Sequence, residues 1–575
     1  MEQTQSKINE PISITSLINS LFNEKHLTNA WYLILIAVIS NLIIFLIHLI
    51  HLPDNRLVQF IYDDGFYYLV IAKNFYQYHI WTFDGGLTIT SGFQPLFAYC
   101  LTLLYALFKP DTTQFVHYSL CFTTLITVLS FLWINKINMS HKWSLIAATA
   151  LIASSLNFAY DAITLVEWPL LVFFSASYFA VIYQAAINKT ITRTAILLAI
   201  IGCLGSFTRA DFGAMPLSLF FIAFTLMIFS KKYHYLLITL SGLIGAFIGV
   251  ILVFLHDYYF TGHFLQNSAT MKLLWDHVTG PSPYSFFAQM MSLLLGNFYR
   301  DALPTLSTHT ILLFPKLLLL AIFALSAKGL MIFSFSPSGR RTTEINSHQT
   351  IENLSKNYLV IAGSITTIIF YCAFYAFNTG ALQPWYSGNA IVPMIILLTA
   401  VLNLFQTNLI RYSLSFILLM SIALHLHHLY TMKITPWASQ KLLYEAGSYL
   451  QQHPLPGIIG SWNAGIISYY EGQHIINLDG LMNDEIYPYA KNHNLECYFL
   501  NKQINYIADF TAMFNNYHKT RGGYNHNLQN WLTPIQFIKP DIADSAYELK
   551  YRHTKLLNVE IFKVNLQGLA LNNNC

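Results

Sequence analysis

Long apolar runs separated by short polar connections dominate the chain. The runs at 31–52, 236–255 and 358–377 are each long enough to cross a bilayer core as helices. The full set of apolar segments reads 31–52, 93–108, 112–135, 143–159, 168–187, 194–208, 212–230, 236–256, 311–335, 357–379, 388–406 and 411–430. Segment 93–108 is the outlier, because as a helix it reaches only about 24 Å against a core of about 30 Å. If it does not cross, eleven spans remain. The basic connections 136–142, 189–193 and 231–232, the pair Arg340–Arg341, and Arg411 then all face the cytoplasm, with Lys7 and Lys25 of the polar N-terminus.

That topology makes the loop 53–92, the connection 257–310 and the tail 431–575 extracytoplasmic. The tail has a different texture. Its short β-like runs GIIGSW (457–462), HIINLD (474–479) and INYIAD (504–509) alternate with helix-compatible stretches, which predicts a small α/β domain. The expected fold class is therefore a polytopic all-α membrane protein of about eleven transmembrane helices with a small C-terminal α/β extracytoplasmic domain. Its expected divisions are a cytoplasmic segment at 1–28, a transmembrane domain at 29–430 and the α/β domain at 431–575.

Composition agrees with this pattern. Of 575 residues, 55% are hydrophobic and 10% charged, with a mean hydropathy of +0.46. Soluble domains carry about 25% charged residues. A net charge of +4 gives no reason to expect a nucleic-acid partner. The cysteines at 100, 121, 203, 372, 497 and 575 have neither metal-ligand spacing nor the look of a disulfide framework. The first apolar run is too long for a signal-peptide core and reads as an uncleaved span.

On this topology the polar residues at the outer boundary gather on one side. Asp63 and Asp64 open the stretch YDDGFYYLVIAKNF (62–75), and Asp161 and Glu167 precede the span at 168. Arg209 and Asp211 lie in FTRADFG, and Asp257, His263, Asn267 and Lys272 follow the span that ends near 256. Ionisable groups at membrane depth are functional candidates. Each has an ordinary alternative: an interfacial Asp caps a helix, Arg209 and Asp211 form a structural ion pair, and Lys272 snorkels. Trp385 and Tyr386 read as interfacial aromatics. The histidines at 425, 427 and 428 are not spaced to converge on a metal.

Together these segments resemble the GT-C glycosyltransferases, polytopic enzymes that use polyprenyl-phosphate-linked sugars. DDGFYYLVIAKNF followed by WTFDGGLTITSGFQPL (81–96) is similar to their first outer loop, with Asp64 at the position of the key acid. LVEWPL matches the segment of their second acid at Glu167, with Asp161 as the alternative. TRAD (208–211) resembles an Arg-x-Asp run of bacterial members, FTGHFLQNSATMK (260–272) their lysine segment, and WNAGIISYY…INLDGLMN (462–483) an element of their outer domains. Gln266 stands where proline is common, and Thr261 precedes Gly262 where the family tends to have Phe.

The resemblance implies transfer of a sugar from a polyprenyl-phosphate-linked donor to a lipid, glycan or protein acceptor, within membrane lipids and with no nucleic acid. The reaction would be an inverting direct displacement. Asp64 is the expected base with Asp63 beside it and Glu167 as the second catalytic acid. Lys272 and Arg209 are expected to bind the donor phosphate, and Asp161, Asp211, Tyr67 and Asn267 to orient substrate. A divalent ion (Mg or Mn) bridging Asp64 and Glu167 is the alternative to a metal-independent site. The expected location is the bacterial inner membrane, N-terminus inside. Two rival classes are a transporter or flippase of a lipid-linked substrate, and a non-catalytic membrane scaffold with an outer binding domain.

Overall fold

The computed structural model describes residues 24–137, 139, 141–188, 191–279, 344–378, 383–404, 408–431, 436–472, 475–514, 522–524, 528–541, 558–572 and 575. Along the chain come α1 (Glu24–Ile50), α2 (Asp63–Tyr78), α3 (Pro95–Phe108), α4 (Thr112–Ile134), α5 (Lys142–Ala153) and α6 (Leu156–Ile163). Then follow α7 (Trp168–Asn188), α8 (Ile191–Thr208), α9 (Ala214–Ser230), α10 (Tyr233–Thr261) and α11 (Asn267–Thr279). The remaining apolar helices are α12 (Glu344–Asn378), α13 (Ile391–Asn403) and α14 (Asn408–Thr431).

Among the described residues nine helical segments are long and apolar enough to span a membrane: α1, α4, α7, α8, α10, α12 and α14, with α9 and α13 each counted together with the helical turn before it (Ala210–Phe229 and Trp385–Asn403). The pair α5–α6 makes a tenth if counted as one span, but it bends by 69°. The apolar run 143–159 is continuous in hydropathy, yet Ser154 and Ser155 break it. Ser155 Oγ accepts the Phe158 N–H (3.2 Å) and so starts a new helix. The expected span at 311–335 lies outside the described residues. Segment 93–108 forms the short helix α3, too short to rank with the spans. It starts with Pro95 at its first turn, where the missing N–H costs nothing. His425 is buried close to Ser154 Oγ (3.3 Å).

After α14 the chain turns into α15 (Gln440–Gln452), β1 (Ile458–Ser461), α16 (Ala464–Glu471) and β2 (Ile475–Asn477). The sheet is completed by β3 (Ile504–Phe510), β4 (Leu532–Ile538) and β5 (Val559–Val564), in the order β2-β1-β3-β5-β4. β1 runs parallel to both β2 and β3, whereas β5 is antiparallel to β3 and β4. The three β-like runs read from sequence are β1 to β3. A disulfide joins Cys497 to Cys575, against the expectation of no disulfide. With six scattered cysteines, spacing alone does not reveal a pair brought together by the fold.

The α/β unit packs hard onto the membrane helices. Asp63, at the first turn of α2, accepts the Gly465 and Ile466 N–H groups (3.2 and 2.7 Å) at the start of α16. Tyr67, one turn on, donates to the Trp462 carbonyl (3.1 Å) and receives the Ala464 N–H and the Asn477 amide (3.3 Å each). At Gly92 the two backbones nearly touch, since a Cβ there would lie 1.5 Å from the Leu481 carbonyl oxygen. Only glycine fits that seam.

Candidate functional site

An open cleft of about 450 Å³ lies along this seam. Its walls bring together Asp64 and Tyr68 of α2, Glu167, Arg209, Lys272 of α11 and Tyr386. Leu481 and Met482 of the α/β unit form an apolar wall.

The acids approach each other because of a glycine. Gly65 follows Asp64, and a Cβ on it would lie 2.2 Å from the Thr164 carbonyl oxygen. α2 therefore lies directly against the turn that carries Glu167. Leu165 in that turn has φ of 57°, which bends the chain there. Tyr68 closes the contact by donating to Glu167 Oε2 (2.9 Å) and accepting the Gln94 N–H (3.1 Å).

Arg209 is buried and tied on several sides. It donates to Glu167 Oε1 (3.3 Å) and to the Tyr375 hydroxyl (2.9 Å), while Nε faces Asp211 (3.2 Å). Its guanidinium lies 4.0 Å over the Tyr386 ring. Three of its five donors are so directed, leaving donors for an oxyanion. Lys272 donates one of its three protons to the Tyr386 hydroxyl (2.7 Å). Burial works against its ammonium, but the Tyr386 oxygen and the Asp64 carboxylate outweigh that and raise its pKa. The cleft thus sets two fixed cations opposite Asp64.

Of the residues expected from sequence, Asp64, Glu167, Arg209, Lys272 and Tyr67 line the cleft. Asp63, Asp161, Asp211 and Asn267 do not line it. Adjacent residues on a helix point about 100° apart, so Asp63 turns away from Asp64 into the α/β unit. Asp161 is buried beside the Ser387 hydroxyl (3.3 Å), and that hydroxyl also receives the Trp168 indole N–H (3.0 Å). Asp211 lies behind Arg209, bonded by Asn389 (3.0 Å) and Tyr375. Asn267 points its amide at the Gly480 and Asn483 carbonyls (2.8 Å to the latter). Asp257 is buried against His256 (3.0 Å) outside the cleft.

Sequence reasoning missed Tyr68, Gln94, Ser268, Leu481 and Met482, and took Trp385 and Tyr386 for interfacial aromatics. The run INLDGLMN already contained Leu481 and Met482, but apolar side chains carry no chemical signal of a site.

The Glu167 carboxylate is already engaged where a bridging divalent ion would sit. Such an ion would bridge Asp64 and Glu167, but Arg209 and Tyr68 already engage the two Glu167 oxygens, and Arg209 brings positive charge to that spot. Among the described residues no group of three or more His, Cys, Asp or Glu side chains is placed to hold a metal.

A family described as a domain of unknown function (DUF8728) matches residues 431–552, beginning at the last residue of α14. No curated protein matches the sequence. Among solved structures the chain is similar to ArnT from Cupriavidus metallidurans bound to undecaprenyl phosphate. That pair is 11% identical with a TM-score of 0.54, over 94% of this chain and 99% of that one. The apo state of ArnT gives 10% and 0.53 over the same shares. The archaeal oligosaccharyltransferase AglB from Archaeoglobus fulgidus, in complex with an inhibitory peptide and a dolichol-phosphate, gives 12% and 0.47 over 88% of this chain and 73% of its own. Along nearly its whole length, the chain shares the fold of ArnT.

Proposed function

We propose that the chain is a glycosyltransferase that moves a sugar from a polyprenyl-phosphate-linked donor to an acceptor at the extracytoplasmic face of the membrane. The observation that carries this reading is the convergence of Asp64 with Lys272 and Arg209 in one cleft at the edge of the membrane helices. The likeness in fold to ArnT bound to undecaprenyl phosphate supports a polyprenyl phosphate as the lipid.

In the reaction, Asp64 takes the proton of the acceptor hydroxyl or amine as that atom attacks the anomeric carbon. The bond from the anomeric carbon to the phosphate oxygen breaks, and its electron pair leaves with the phosphate. Lys272 and the unused donors of Arg209 stabilise the charge that gathers there. A single displacement inverts the anomeric configuration. Glu167 acts by holding Arg209 in place, since Arg209 and Tyr68 take its oxygens. The Cys497–Cys575 bridge supports an outward-facing α/β unit, because disulfides persist in oxidising compartments.

The test supplies purified protein with radiolabelled undecaprenyl-phosphate-linked sugars and an envelope extract. Asp64→Asn is expected to lower transfer by about 10²–10⁴-fold while leaving affinity for undecaprenyl phosphate intact. Transfer at the unsubstituted rate would overturn the assignment. Mass spectrometry of envelope glycolipids, glycans and glycoproteins with and without the gene then identifies the acceptor class.

A further inference from the structure

One face of α11 serves both parts of the molecule. Asn267, Ser268, Met271 and Lys272 fall on it together. Ser268 and Lys272 line the cleft. Asn267 instead donates its amide to the Gly480 and Asn483 carbonyls of the α/β unit, and its own N–H goes to Ser91 Oγ (3.0 Å). Ser91 in turn donates its hydroxyl and its N–H to the Asp484 carboxylate (2.8 and 2.9 Å). The loop 478–484 therefore hangs on α11 from one side and on Ser91 from the other. Its Leu481 and Met482 are the apolar wall of the cleft.

We propose that α11 couples the two substrate sides of the cleft. A polyprenyl phosphate held at Lys272 fixes the helix and, through the Asn267 amide, fixes the Leu481–Met482 wall where the acceptor must enter. Asn267 is then a positioning residue for the acceptor side and not a substrate ligand. This rests on the reading of the cleft as a polyprenyl-phosphate site.

The experiment is hydrogen exchange on the full chain in nanodiscs, with undecaprenyl phosphate as the probe and its binding measured in parallel. The lipid is expected to slow exchange in 478–484 by about tenfold, the factor one hydrogen bond of ordinary net strength supplies. In Asn267→Ala that protection disappears while lipid affinity stays within about twofold. Asn267→Asp, which keeps the shape but loses the amide donors, gives the same result if the alanine variant folds poorly. Ser91→Ala removes one hydrogen bond to Asp484 and one from the Asn267 N–H but leaves the Asn267 amide on the Gly480 and Asn483 carbonyls, so exchange in the loop is faster without lipid but the lipid still protects it. Saturable lipid binding with no change in 478–484, or protection that survives in the Asn267 variants, overturns the coupling. Absence of lipid binding by the unsubstituted chain overturns the reading of the cleft itself, and the coupling with it.

Discussion

Two neighbouring carboxylates at the head of α2 divide their work by direction. Asp64 faces the cleft, while Asp63 is buried among backbone N–H groups of the α/β unit. Burial pushes the Asp63 pKa from 3.8 up to about 8, with the Asp64 charge adding and the Ile466 and Gly465 N–H groups opposing. The folded state thus holds this proton more tightly than the unfolded chain does. Its stabilising contribution is complete below about pH 4 and is lost as pH rises through about 8. We expect the thermal midpoint of the full chain to fall across that window, and Asp63→Asn to flatten the fall. Equal slopes in both proteins, measured by thermal unfolding at a series of pH values, would contradict this. The importance of the acid pair was legible in the sequence but its division was not, because the partners of Asp63 lie 402 and 403 residues away.

Among the elements, α2 depends most on a single small residue. Gly65 allows it to lie against the turn at Thr164, which sets the spacing of Asp64 from Glu167 and Arg209. Gly65→Ala must push these apart, and displacement of about 1 Å costs roughly a hundredfold in rate. The expected outcome is a large loss of transfer with the helical content kept, read by activity and circular dichroism. Most helices were legible because their apolar runs are long and uninterrupted. The bend between α5 and α6 was not, since the two serines that cause it leave the hydropathy almost unchanged. β1 to β3 were legible from compact β-branched runs. β4, with Pro534 inside it and several side chains exposed, offers no such alternation, and it holds its place by pairing with β5.

For the whole molecule, the α/β unit and the membrane helices make one cleft that neither makes alone. The Cys497–Cys575 bridge ties the end of the chain to α/β residues 78 positions earlier. Closing a loop of that length is worth about 4.5 kcal/mol in the chain-entropy account. Cys497→Ser is expected to lower the thermal midpoint and to abolish any further drop on adding reductant. A midpoint insensitive to reductant in the unsubstituted protein would show that the bridge contributes nothing.

The first βα turn of a parallel sheet, at the start of the following helix, is where α/β folds ordinarily receive a phosphate or another anion. In this chain the turn after β1 is already filled by the carboxyl group of Asp63 of the same polypeptide, with Tyr67 beside it. The α/β unit has in effect exchanged a receptor's mouth for a bracket. Any soluble anion would have to displace the membrane domain to enter, so ligands found for the severed unit would report a site that the intact protein keeps shut.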